Sequence, residues 1–297
     1  MGRIFTYDEV ASGQIPQFAL AKSLLFEGLP KISGFIGAKI YGSVGLGTPN
    51  KRSDLDMILV VEGQSVQDEV DNLARSITDK TAVHFELTQI LRKLAEVGLH
   101  SIDCSFYANI ASIPEEGNII GQNPLEILTV EQNSLIAINK GYLNAKIKKL
   151  GESCRAQTEA DKYKGLQRAL EVPVNAGRRV LQTLNDFDPS IPFKQEDGKI
   201  EVVRNFRHTF FGLPHILNSF ELLLAMDTEY SAYLEHSLRE TPSKEDYDEV
   251  VSRLFLECVP LARDWTEELC FWFGKTIEGS EKNIEGQSLY RGTERLV

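Results

Sequence analysis

Apolar residues change their spacing once along this chain, near Pro124. Before it, short alternating runs read as strands and are interleaved with 3.6-period runs that read as helices. Gln14 to Leu29 carries Phe18, Ala21, Leu24 and Leu25 at helical spacing, and Gly28 and Pro30 mark its end. Ile32 to Tyr41 is the first predicted strand and Asp54 to Val61 the second. After the turn Glu62-Gly63-Gln64, residues Val66, Val70, Leu73 and Ile77 share one face of a helix. Thr81 to Leu87 predicts a third strand, with Val83, Phe85 and Leu87 alternating against His84 and Glu86. A short helix over 88–97 and a fourth strand over Leu99 to Ala108 follow. Beyond Pro124 the period is helical over 125–151, 159–185, 207–239 and 244–278. The one interruption with strand character is Lys194 to Val203, where Asp197-Gly198 predicts a hairpin-type turn. The pattern predicts an α+β chain: a sheet-bearing domain over 1–123, a helical domain over 124–280 and a flexible tail over 281–297.

Chemistry concentrates where the first strand meets the second. Ile40-Tyr41 ends in Gly42-Ser43, a polar loop carries Lys51 and Arg52, and the next strand opens with Asp54-Leu55-Asp56. Successive strand side chains point to opposite faces, so Asp54 and Asp56 share one face. Two carboxylates so placed repel unless a cation lies between them, and Mg²⁺ is held by one or two carboxylates with waters and substrate phosphates. A Gly-Ser turn lets backbone N–H groups and a hydroxyl approach phosphate. Phosphate cradle and carboxylate pair together suit metal-assisted phosphoryl or nucleotidyl transfer.

Gly42-Ser43, the loop and Asp54-x-Asp56 resemble the signature of the polymerase β-type nucleotidyltransferase superfamily, over about Lys39 to Val61 and more loosely to Pro124. The resemblance implies a nucleotidyltransferase head, with a mixed sheet flanked by helices, followed by an α-helical bundle. It implies a magnesium-dependent enzyme that moves NMP from an NTP such as ATP to an acceptor hydroxyl. Asp54 and Asp56 would hold two Mg²⁺ ions, and Gly42 and Ser43 the terminal phosphates. Members place a third metal-binding carboxylate on a later strand beside the Asp-x-Asp strand. Asp103, ionisable and in the middle of the predicted fourth strand, is the choice here, with Glu86 its competitor. Members also present a lysine from the helix after the head to the triphosphate. Lys146 and Lys164 are the candidates, with Lys140 beside them.

Composition narrows the partners. The net charge is −11, and acidic residues outnumber basic ones in both halves, so there is no domain-wide footprint for nucleic acid. That favours a small-molecule or protein hydroxyl as acceptor over an RNA end or a nucleotide second messenger. A non-catalytic, antitoxin-like nucleotide binder is the rival from another class. Cys104, Cys154, Cys258 and Cys270 have neither zinc-site nor dense-disulfide spacing, as expected of a cytoplasmic protein. No apolar run has membrane-spanning length, and the first residues lack the apolar core of a signal peptide.

Overall fold

The computed structural model describes residues 2–131 and 134–293, with side chains described through Ile277. The side chains of the expected tail, 281–297, thus lie wholly outside the description, and residues 294–297 lie outside altogether. Packing divides the chain into two units. The first comprises Met1–Ser134 and Ser231–Asp248; the second comprises Leu135–Tyr230 and Glu249–Val297.

In the first unit, α1 (Tyr7–Ser12) and α2 (Phe18–Gly28) precede β1 (Phe35–Tyr41). A helical turn, α3 (Gly42–Gly45), leads to the loop before β2 (Leu55–Val61). The chain continues through α4 (Gln64–Thr81), β3 (Phe85–Leu91), α5 (Arg92–Glu96), β4 (Ser101–Asp103), α6 (Cys104–Ala111), β5 (Ile119–Gly121) and β6 (Thr129–Glu131). Four strands form a mixed sheet in the order β3-β2-β1-β5. Strand β1 is antiparallel to β2 and β5, while β2 and β3 are parallel and joined across α4, as parallel neighbours require. Strands β4 and β6 make a separate parallel pair.

Both faces of the sheet are covered. On one, Ala38, Ile40, Leu55, Met57 and Leu59 pack against Ala21 and Leu25 of α2 and Val66, Val70 and Ile77 of α4. On the other, Ile58, Val60 and Ile90 pack against Ala95, Ile102 and Ile110. Strand β2 is buried on both sides, which explains its near-continuous apolar run. The interruption is its N-terminal end, where the second face carries Asp54 and Asp56 in place of aliphatics.

Three predicted elements shift for identifiable reasons. Helix α4 continues to Thr81, whose hydroxyl donates to Ile77 O, and Ala82 caps it with φ +54°, so β3 starts four residues later than the alternation predicts. The predicted fourth strand keeps only Ser101–Asp103. Asp103 then accepts the Phe106 N–H and starts α6 instead. In the second unit the predicted ribbon is the entry to a helix. Asp197 accepts from Lys194 N and Asn205 Nδ2, Gly198 is the N-cap, and Val202 and Phe206 of α9 (Lys199–Thr209) bury one face. Tertiary burial overrides the strand propensity of Val202-Val203.

The rest of the second unit is helical: α7 (Leu135–Ser153), α8 (Glu159–Phe187) and the portions of α10 (Pro214–Ser237) and α11 (Lys244–Thr293) that belong to it. Phe206 stacks between Phe210 at 4.1 Å and Phe220 at 4.3 Å, and the Trp265 indole donates to Ile216 O. Trp265 and Phe273 are buried as core while Phe271 is exposed. Among the described residues, no helix is long and apolar enough to cross a membrane.

Candidate active site

The site grows from the end of β1. Gly42 takes φ +65°, a region that glycine enters without a Cβ penalty. A Cβ on Gly42 would overlap the Asp56 carboxylate, so this glycine is also the space into which Asp56 turns. Ser43 Oγ donates to Ser53 Oγ at 3.0 Å, and Ser53 Oγ accepts from Asn50 N at 2.9 Å. The loop between the Gly-Ser turn and β2 is therefore closed on itself by serine and asparagine side chains. Arg52 of that loop turns away from the Gly-Ser turn. It is 5% exposed and donates to Arg3 O, Gly2 O and Ser231 Oγ. Lys51 is half-buried, its Nζ 3.9 Å from Glu235.

Strand register then decides which acidic groups meet. Tyr41 pairs with Asp56, and Asp56 pairs with Glu86. Tyr41, Asp56 and Glu86 thus share one face across three adjacent strands, with Asp54 and His84 one step earlier on that face. Asp54 and Asp56 are half-buried and Glu86 is exposed. Burial pushes the Asp54 carboxyl up to about 6, against the opposing pull of Arg3 and His84; Glu86 and Glu9 add to the rise. The Tyr41 hydroxyl is raised by burial and by the Asp56 charge, and it is hydrogen-bonded to Thr88.

Asp103 is elsewhere. It lies on the two-stranded sheet, paired with Glu131, and its carboxylate caps α6. The structure brings Glu86, not Asp103, beside the Asp-x-Asp strand. Lys146 and Lys164 belong to the second unit, on α7 and α8. Lys146 lies over the Tyr142 ring at 5.2 Å and Lys164 is exposed.

Sequence reasoning missed the N-terminal segment. Thr6 and Glu9 form a capping box on α1, a pattern legible as Thr6-x-x-Glu9. Glu9 also binds Arg3 and His84 Nε2, the latter at 2.8 Å. Burial alone would raise the Glu9 carboxyl. Hydrogen bonds from His84 and Thr6 and the Arg3 charge hold it at about 2 instead.

A cation fits this face. Asp54 is a carboxylate whose burial is incompletely compensated, and Asp56 lies two residues on toward the same side. Among the described residues no three His, Cys, Asp or Glu side chains are gathered into a ready-made metal cage. Mg²⁺ rarely uses one, since it keeps waters and takes ligands from phosphate. In comparison with known proteins, no family model and no curated sequence matches the chain.

Proposed function

We propose that this chain is a Mg²⁺-dependent nucleotidyltransferase that moves NMP from an NTP to an acceptor hydroxyl and releases pyrophosphate. The observation that carries the reading is the register Tyr41–Asp56–Glu86 next to the Gly42-Ser43 turn. Asp54 and Asp56 hold the metal, and Glu86 takes the place of the third carboxylate. Bound there, Mg²⁺ supplies charge neutralisation to the triphosphate and the leaving oxygen. Ser43 and the backbone of the turn hold the terminal phosphates. Gly42 keeps that approach open and gives Asp56 its room. The acceptor oxygen bonds to the α-phosphorus as the bond to the β-phosphate oxygen breaks. Pyrophosphate leaves with that electron pair, and the hydroxyl proton passes to Glu86.

The test is pyrophosphate release from each NTP with Mg²⁺ over a panel of acceptors. Wild type turns over; Asp56→Asn and Glu86→Gln lose about a hundred-fold or more; Asp103→Asn keeps turnover provided α6 still forms. Turnover retained in Asp54→Asn and Asp56→Asn together would sink the reading.

A further inference from the structure

The four-stranded sheet has two edges, β5 and β3, and they are unlike. Strand β5 has three residues and ends in Gly121 at φ +71°, the short, bent kind of edge that resists pairing. Strand β3 has seven residues, Phe-Glu-Leu-Thr-Gln-Ile-Leu, in unbroken register with β2. It has no proline, no lysine and no bulge, and Glu86 is its one charge. It thus lacks most of the devices that keep an edge from pairing with another chain. The ladder shows which backbone groups it leaves unused. Leu55 N donates to His84 O, and Leu55 pairs with Phe85. In a parallel pair the N–H and C=O groups of Glu86, Thr88 and Ile90 then turn toward β2, and those of Phe85, Leu87, Gln89 and Leu91 turn outward. Leu91 is the N-cap of α5, which takes its carbonyl. The N–H and C=O of Phe85, Leu87 and Gln89 and the N–H of Leu91 have no backbone partner among the described residues. Phe85, Leu87 and Leu91 pack against the core yet stay half-buried.

This edge is complementary to itself. Laid antiparallel about Thr88, the whole of one β3 faces the whole of another. Leu87 then faces Gln89 of the second copy, and the two exchange both of their outward hydrogen bonds. Phe85 O accepts the Leu91 N–H of the second copy, and the Phe85 ring faces the Leu91 side chain, an aromatic–aliphatic cross-strand pair. Thr88 meets Thr88 on the axis, also a favourable pair. The charges agree with this direction. The start of β3 is acidic, at Glu86, and the residue after its end is basic, Arg92. Antiparallel pairing sets Glu86 opposite Ile90 and diagonal to Arg92 of the second copy, so like charges do not face each other.

We propose that the free edge of β3 docks a second copy of this chain, antiparallel about Thr88, so that the two sheets continue as one across a two-fold axis. Dimerisation through β3 is independent of nucleotidyl transfer, and it is tested on the full chain. A strand pair is a small interface, so sedimentation velocity should show a dimer with a Kd of about 1–100 µM. Leu87→Lys places a charge on the edge, and Gln89→Pro removes an outward N–H. Each should weaken the dimer at least about tenfold while circular dichroism shows the variant folded. The register is read by cross-linking with oxidised glutathione in a Cys154→Ser background, because Cys154 is exposed. Residues paired on the axis have α-carbons about 4.5 Å apart, within disulfide reach, so Thr88→Cys should give a covalent dimer. Glu86→Cys lies about 13 Å along the strand from its own copy and should cross-link at least about tenfold less. Asp68→Cys, exposed on α4, should behave like Glu86→Cys. Cross-linking needs neither edge variant to fold. A chain that stays monomeric at about 200 µM, above the expected Kd, leaves the edge to an extended strand of another protein and overturns the proposal. So does a dimer that the folded edge variants keep, or cross-linking of Glu86→Cys or Asp68→Cys equal to that of Thr88→Cys.

Discussion

At the residue scale, Gly42 and Asp54 carry opposite kinds of strain. Gly42 combines φ +65° with a Cβ position occupied by the Asp56 carboxylate. Gly42→Val should abolish Mg·NTP binding, because it displaces both the turn and Asp56, the ligand proposed for the metal; normal binding in a thermal-shift titration would reduce the Gly-Ser pair to a simple turn. Asp54 makes a pH prediction. Its folded pKa of about 6 lies above the ordinary 3.8, so the folded state holds the proton more tightly. The contribution is present below pH 3.8 and is lost as pH rises through about 6. The loss is about 2 kcal/mol after allowance for solvent screening. Glu9 works the other way: held at about 2, its stabilisation is present above pH 4.5 and is lost as pH falls through about 2. Metal-free Asp54→Asn should therefore lose the decline between pH 4 and 6 and keep the acid-side decline. Urea midpoints across pH 2–7 decide it, and an unchanged slope between pH 4 and 6 would refute the assignment of that decline to Asp54.

At the scale of elements, the sequence shows periodicity well and boundaries poorly. The apolar run of β2 and the face of α4 are legible because burial imposes a single period on each. The edge of β3 was not legible, because Ala82-Val83 suits strand and helix exit equally and the ladder to β2 decides between them. The same ambiguity left open which acid lies beside Asp56. Asp103 and Glu86 are both mid-run acids in the sequence, and only the pairing partner separates a helix cap from a neighbour of Asp56. Asp197-Gly198 is a parallel case, since an Asp-Gly pair starts hairpins and caps helices alike. Here the Asp197 carboxylate takes Lys194 N and Asn205 Nδ2 while 8% exposed. Asp197→Ala should cost about 2 kcal/mol by leaving both donors unpaired. Urea unfolding followed by far-ultraviolet circular dichroism checks this, and a change under about 0.5 kcal/mol, the usual span for surface substitutions, would show that α9 starts without the Asp197 carboxylate.

At the scale of the whole molecule, the change of period near Pro124 marks where strands end, yet the first unit also takes in residues 231–248. That return is illegible in the sequence, since its helical spacing matches what surrounds it. The contacts that fix it come from the first turn of the chain and from the loop before Asp54. Tyr247 Oη donates to Phe5 O at 2.8 Å, and Arg52 Nη1 donates to Ser231 Oγ at 2.7 Å. Arg52 also binds the carbonyls of Gly2 and Arg3, so one buried guanidinium joins three stretches that are far apart in sequence. Its neighbour Lys51 is half-buried and, among the described residues, makes a long 3.9 Å ion pair with Glu235. Adjacent cations thus make opposite predictions. Arg52→Leu removes a charged donor from three acceptors, each worth about 1–3 kcal/mol when left unpaired, so a loss of about 3–5 kcal/mol is expected. Lys51→Ala should change stability by less than about 0.5 kcal/mol. Because Asp54 follows two residues after Arg52, the leucine variant should also lower Mg·NTP affinity, and the alanine variant should not. Paired urea titrations and nucleotide binding measure both effects. Equal stability of the two variants would show that Arg52 does not hold this unit together.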